Sequence, residues 1–185
     1  MNEVPSVELA AAFLAMTLPL RKYYEETYAM KPSELLEHLH GAVGLIIGTR
    51  DEKLRPTIAW GTGLKAAPDA KSMTLYIPDI ENQETLKNIA SNGAIALTAG
   101  DPVSHKSFQV KGTVTSHRPT GPTEQGIQEI YRTKMTAMLE QIGLGGGHAR
   151  HRRITPSTAV EISVEHVFDQ TPGPGAGERL ELTEN

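Results

Sequence analysis

No cysteine occurs among the 185 residues. That absence removes disulfides, thiolate metal sites, iron–sulfur clusters and cysteine nucleophiles, and leaves His, Asp and Glu as the only strong metal ligands. Aromatic residues make up 5% of the chain, too few for a protein that stacks bases or sugars on aromatic platforms. The formal charge of −4 gives no overall basic character for nucleic acid. Long apolar runs are missing as well. The longest near the start, Leu9 to Leu18, is about half of a membrane span. Glu3 and Glu8 stand where an export signal would carry Lys or Arg, so a cytoplasmic protein is expected. There is no phosphate loop, no Gly-x-Gly-x-x-Gly after a strand and no Ser/His/Asp order, so kinase, Rossmann and serine-hydrolase readings find no support.

What is present reads as one domain over 1–185: a helical extension over 1–40, a core over 41–169 and an irregular tail over 170–185. Lys31-Pro-Ser-Glu34 opens a short helix that Ser33 can cap, with Leu35, Leu36 and Leu39 as its apolar stripe. The pattern then switches to strands. Ala42 to Thr49 and Arg55 to Gly61 flank the charged turn Arg50-Asp-Glu-Lys53 and form a hairpin; Ser72 to Ile77 alternates and stops at Pro78. Helical spacing returns over Glu81 to Asn92, and Gly93 releases the chain into the strand Ala94 to Ala99. Ser107 to Thr115 is a further strand with Gly112 as a bulge. Thr123 to Gly143 is a helix that turns Ile127, Ile130, Tyr131, Met135, Met138 and Ile142 inward, and Thr158 to Val164 is a last strand. The fold class is therefore α+β: about six antiparallel strands in a small barrel with helices outside it.

Several strings in this order resemble the pyridoxamine 5′-phosphate oxidase-like superfamily, the flavin-binding split barrels. They are Gly48-Thr-Arg-Asp51 with Arg55-Pro56, Leu75-Tyr-Ile77, Lys87-Asn-Ile-Ala-Ser-Asn-Gly93, Ala94-Ile-Ala-Leu97 and Phe108-Gln-Val-Lys-Gly112. The resemblance covers residues 36–170. It implies a six-stranded split barrel, a homodimer, and flavin mononucleotide (FMN) bound at the interface between subunits. It also implies that the flavin ring lies along the strand Arg55 to Gly61 and that Gln109 reaches it from a neighbouring strand. Relatives that grip FMN usually carry an Arg-Lys pair at the start of the inserted helix, where this chain has Asn82-Gln-Glu-Thr85. Glu84 would repel a phosphate dianion. Gln83 beside free backbone N–H groups, Lys87, Lys111 or the basic segment at 150–153 could replace the missing charge.

The residues themselves allow two readings at most candidate positions. Gln109 and Lys111 share one face of their strand, as Arg55 and Thr57 share one of theirs. Each pair is either a cofactor contact or a solvated rim. Trp60 lies beside Gly61-Thr-Gly63, where missing side chains let a planar ring approach, yet a core tryptophan beside a bulge has the same sequence. His148-Ala-Arg-His-Arg-Arg153 suits phosphate or carboxylate recognition through His151, Arg152 and Arg153, or is an exposed basic loop. Its two histidines lack an acidic neighbour, so no metal site is expected. His38 and His40 do not face each other, and His105, His117 and His166 stand alone. The functional expectation is an FMN-dependent oxidoreductase acting on a small molecule, with no protein nucleophile and His151, Tyr131 or Lys111 as candidate general acids. The alternative is a haem-binding or non-catalytic split barrel.

Overall fold

The computed structural model describes residues 28–144 and 156–183. In chain order these form β1 (Tyr28–Met30), α1 (Pro32–Leu39), β2 (Gly44–Arg50), β3 (Pro56–Trp60), β4 (Leu64–Ala66), β5 (Ser72–Pro78), α2 (Gln83–Asn92), β6 (Ala94–Gly100), β7 (Ser107–Pro119), α3 (Pro122–Gln141), β8 (Ser157–Asp169) and β9 (Arg179–Leu182). The strands exist because their apolar residues recur every second position. Leu45 and Ile47 of β2, Met73, Leu75 and Ile77 of β5, Ile95 and Leu97 of β6, and Phe108 and Val110 of β7 are all buried in one cluster. Each such side chain contributes about 1.5–3 kcal/mol by leaving water.

The sheet runs β3-β2-β6-β7-β8-β9-β1, antiparallel except for the parallel pair of β1 with β9. Strand β8 forks it. Ser157 to Ser163 pairs with β5, whereas Val167 and Phe168 pair with β9, and β7 follows the other edge. No ladder joins β3 to β5 among the described residues, so the barrel is split. Residues 61–63 bridge the gap: Gly61 N–H donates to Leu45 O (2.9 Å), Thr62 N–H to Tyr76 O (2.9 Å) and Tyr76 N–H to Gly63 O (3.0 Å). A Cβ on Gly61 would lie 3.1 Å from both Leu45 and Leu75, and Gly63 has φ +140°. The two glycines next to Trp60 thus serve this bend and its core packing.

Gly112 marks the expected irregularity, with the extra residue, Glu165, on the partner strand β8. A Cβ at Gly112 would stand 2.1 Å from Ser163 O. The two strands approach so closely that only glycine fits. Gly93 ends α2 in the left-handed region at φ +69°, as its position after the helix requires.

Five expectations are corrected. Helix α1 is started by Lys31 in an extended conformation with Pro32 in the first turn, and Ser33 makes no cap. The extension over 1–40 includes strand β1, and the tail over 170–185 includes β9, whose Leu180 is buried against Val167. The last core strand extends to Asp169. Helix α3 buries Met138 and packs Tyr131 on the core as expected, but it also buries Gln128 and leaves Ile130 and Ile142 exposed. Gln128 wins because it finds partners: its Oε1 accepts from Thr62 Oγ1 (2.9 Å) and Ser157 Oγ (3.1 Å). Among the described residues, no helix is long and apolar enough to cross a membrane.

Candidate functional site

The outer face of the split barrel carries the residues that the core rejects. Alternation that turns Leu45, Ile47, Leu97 and Val110 inward sends Gly44, Ile46 and Gly48 of β2, Ala96 and Thr98 of β6, and Gln109 and Lys111 of β7 outward. Strand β3 joins them with its apolar residues outside. Thr57 faces inward, where its Oγ1 accepts from Asn88 Nδ2 of α2 (3.3 Å); the same amide donates to Thr49 Oγ1 (3.2 Å). Ile58 and Trp60 are consequently 72% and 47% exposed. Thr57 and Arg55 therefore do not form a shared polar face.

Register aligns these residues into two rows across five strands. Trp60, Ile46, Thr98, Gln109 and Phe168 form one, and Ile58, Gly48, Ala96, Lys111 and His166 the other. In the second row, Gly48 and Ala96 make a flat floor between Ile58 and Lys111, which are three inter-strand steps or about 14 Å apart. The floor is not demanded by packing within the chain. A Cβ would meet only ordinary contacts at Gly44 (3.7 Å, from Gly100 O and the Trp60 ring), Gly48 (3.9 Å, from Ala96 O) and Gly100 (3.6 Å, from Ser107 Oγ). None of these glycines has a positive φ. The result is an open trough with a half-exposed indole over one end.

The far wall is polar and aromatic. Gln109 Nε2 donates to Thr98 Oγ1 (3.1 Å), and the Lys111 ammonium sits 4.7 Å from the centre of the Phe168 ring. His166 meets Phe168 edge to face at 6.2 Å. Its Nδ1 is buried without a hydrogen-bond partner among the described residues, a costly state for a polar atom unless another group satisfies it.

The sequence-predicted residues divide among several places. Trp60, Gln109 and Lys111 lie together on the trough. Arg55 is in the hairpin turn, where its Nε donates to Asp51 Oδ2 (2.7 Å). Asp51 is held below the ordinary carboxylate range, chiefly by the Arg55 backbone N–H and further by its guanidinium. Gln83 and Lys87 stand on α2, which packs on the inner side of β2 and β3 through Asn88. There Gln83 Nε2 donates to Asp79 O (2.6 Å), and Lys87 is 3.7 Å from Glu84. Tyr131 donates to Val43 O (2.9 Å) from α3. His151, Arg152 and Arg153 lie outside the described residues. Sequence reasoning missed Ile46, Ile58, Thr98, His166 and Phe168. The available signal was Thr57 and Ala59 alternating with Ile58 and Trp60, which gives the correct rows once the small residues are placed inside.

No family model matches the chain, and no curated protein matches it at a significant level. Solved structures do. HupZ of Group A Streptococcus is 20% identical with a TM-score of 0.50, over 80% of this chain and 100% of that one. A protein of the pyridoxinephosphate oxidase family from Clostridium acetobutylicum, related to general stress protein 26 of Bacillus subtilis, is 17% identical (TM-score 0.46, 76% and 88% covered). An FMN-binding protein from Syntrophomonas wolfei is 12% identical (TM-score 0.42, 83% and 96% covered). At such identities the likeness is one of fold. The forked sheet, the bridge at 61–63 and the helix between β5 and β6 make this fold a split barrel.

Proposed function

We propose that the trough seats the ring of FMN between two copies of this chain, and that the protein is a flavin-dependent oxidoreductase acting on a small molecule. The observation that carries the reading is the glycine and alanine floor between exposed apolar and polar walls. Its open backbone is a cradle that side chains at Gly44, Gly48 and Gly100 would fill without crowding the chain itself. A planar heteroaromatic group fits such a floor by apolar contact and stacking against Trp60.

When bound, a flavin supplies electron and hydride transfer, and the protein's task is to bind, orient and exclude water. Ile58 and Trp60 offer apolar surface to the ring. Gln109 and Lys111 offer N–H donors for its polar edge, and His166 Nδ1, without a partner among the described residues, lies beside them. Exposed apolar residues in a contiguous patch are also what an interface between subunits covers. A second copy laid over Ile46, Ile58 and Trp60 would shield ring and patch together.

The absorbance spectrum of protein purified without added cofactor tests this reading. Flavin bands that co-elute with a particle of twice the chain mass are expected. An intense Soret-type band would replace flavin by haem. A colourless protein that takes up no added FMN would end the proposal.

A further inference from the structure

A cavity of about 570 Å³ lies between α1, the turn from β6 to β7, and the C-terminal half of α3. It shares no lining residue with the trough. Its volume is in the range of small-molecule sites, and its chemistry is one-sided. Asp101 is fixed by two donors, Val103 N–H (2.8 Å) and Ser104 Oγ–H (2.6 Å). These bonds, the hydroxyl first, hold its carboxyl below the ordinary range and so ionised at neutral pH.

Glu37 of α1 lines the same space and makes no hydrogen bond or ion pair among the described residues. Between them His38 donates from Nε2 to Ala99 O (2.9 Å), so in the neutral ring Nδ1 keeps its lone pair and is an acceptor. The one cation on the lining, Lys134, is already engaged: its ammonium donates to His40 O (2.8 Å), the carbonyl at the C-terminus of α1. The remaining surface is apolar, with Val43, Ala137 and Met138 among the lining residues. A second cavity of about 180 Å³, lined in part by Leu64 and Ile127, adjoins the first across Gly41 and Lys134.

We infer that this cavity binds a small organic cation with an apolar body, its ammonium or amidinium group against Asp101 and Glu37 and its body on Val43 and Met138. Two carboxylates against one lysine leave a net negative lining, so an anion would meet more repulsion than attraction there. A neutral apolar molecule would cover the Glu37 carboxylate without giving it a partner.

The probe is benzylamine, compared with benzyl alcohol and phenylacetate, titrated into the full-length protein and followed by amide chemical shifts. Saturable shifts at Val43, Val103 and Ala137 are expected with benzylamine. Benzyl alcohol and phenylacetate should bind at least about tenfold more weakly. Glu37→Gln, on an exposed helical position with no contact to lose, should weaken benzylamine roughly three- to tenfold while amides outside the cavity keep their shifts. Asp101→Asn should weaken it further. Equal binding of the alcohol or the acid, no saturable shift with the amine, or indifference to Glu37→Gln and Asp101→Asn together would overturn the inference. Flavin absorbance is unchanged in every arm, so a failure here is separate from a failure of the flavin reading.

Discussion

Gly48→Val separates what the fold needs from what the trough needs. Gly48 is in the middle of β2, its φ is not positive, and a Cβ would lie 3.9 Å from Ala96 O and 4.0 Å from Ala96 Cβ. These are van der Waals distances, so the added side chain meets no clash. Replacing glycine within a strand relieves the unfolded chain of freedom, and valine suits a pleated surface. Together they predict unchanged stability or a gain of about 0.5–1 kcal/mol. The same side chain projects into the floor between Ile58 and Lys111. There it holds a planar ring off the backbone, and FMN affinity should fall at least tenfold, or about 1.4 kcal/mol. Urea denaturation of the apoprotein gives the first quantity, and quenching of flavin fluorescence on titration gives the second. FMN binding equal to that of the wild type would refute the placement of the ring on this floor. A loss of 2 kcal/mol or more in stability would refute the claim that packing does not require the glycine.

Gly112→Ala should behave oppositely: with Ser163 O 2.1 Å from the new Cβ, a loss of about 3 kcal/mol is expected in the same urea assay. Gln128→Ala removes the acceptor shared by Thr62 and Ser157 at a site only 3% exposed. A lower midpoint by about 1–3 kcal/mol should follow, and Gln128→Glu should recover part of it at low pH, where a protonated carboxyl replaces the amide. The acid limb of stability follows from Asp51, Asp101 and Glu124. Asp51 is held below its ordinary value chiefly by the Arg55 backbone N–H, Asp101 by Ser104, and Glu124 by Arg118 with the Gly121 N–H. The folded state binds protons less readily than the unfolded one at these groups. Their contribution is therefore complete above the ordinary carboxylate range and is lost as pH falls through and below about 4. Glu124→Gln should flatten that limb in a pH series of thermal midpoints.

Much of the fold was legible because some local patterns have one solution. Gly93 after a helical run must be a left-handed end, and Gly112 between Lys111 and Thr113 signalled an irregular strand pair that the Ser163 carbonyl explains. Met73 to Leu75 and Ile95 to Leu97 alternate too cleanly to be anything but half-buried strands. What was misread depended on partners remote in sequence. Thr57 looked like an outward polar residue because Asn88, 31 positions away, could not be seen as its buried partner. Placing Thr57 inside moves Ile58 and Trp60 to the surface and reveals the trough. Gln128 is missed on α3 for the same reason, since it meets Thr62 and Ser157 only after the barrel has formed. Strand β9 is four residues among prolines and glycines, too short to carry a period, and is made a strand by β8 and β1 on either side. Alternation alone placed Gln109 and Lys111 on one face, whereas Trp60 read equally as a core residue while Thr57 was taken to face outward. His166 was not recognisable, because its unsatisfied nitrogen is a property of packing.

Trp60 provides the most direct measurement, because it is the one tryptophan of the chain and lies over Gly44 at the end of the trough. Titrating FMN into the apoprotein while exciting the indole should quench its emission saturably at one flavin per chain, through stacking or energy transfer to the ring. Gly48→Val should shift that curve to higher FMN concentration without altering the initial emission. Flavin binding that leaves the Trp60 emission unchanged, or emission that never responds to FMN, would contradict the trough as the flavin site.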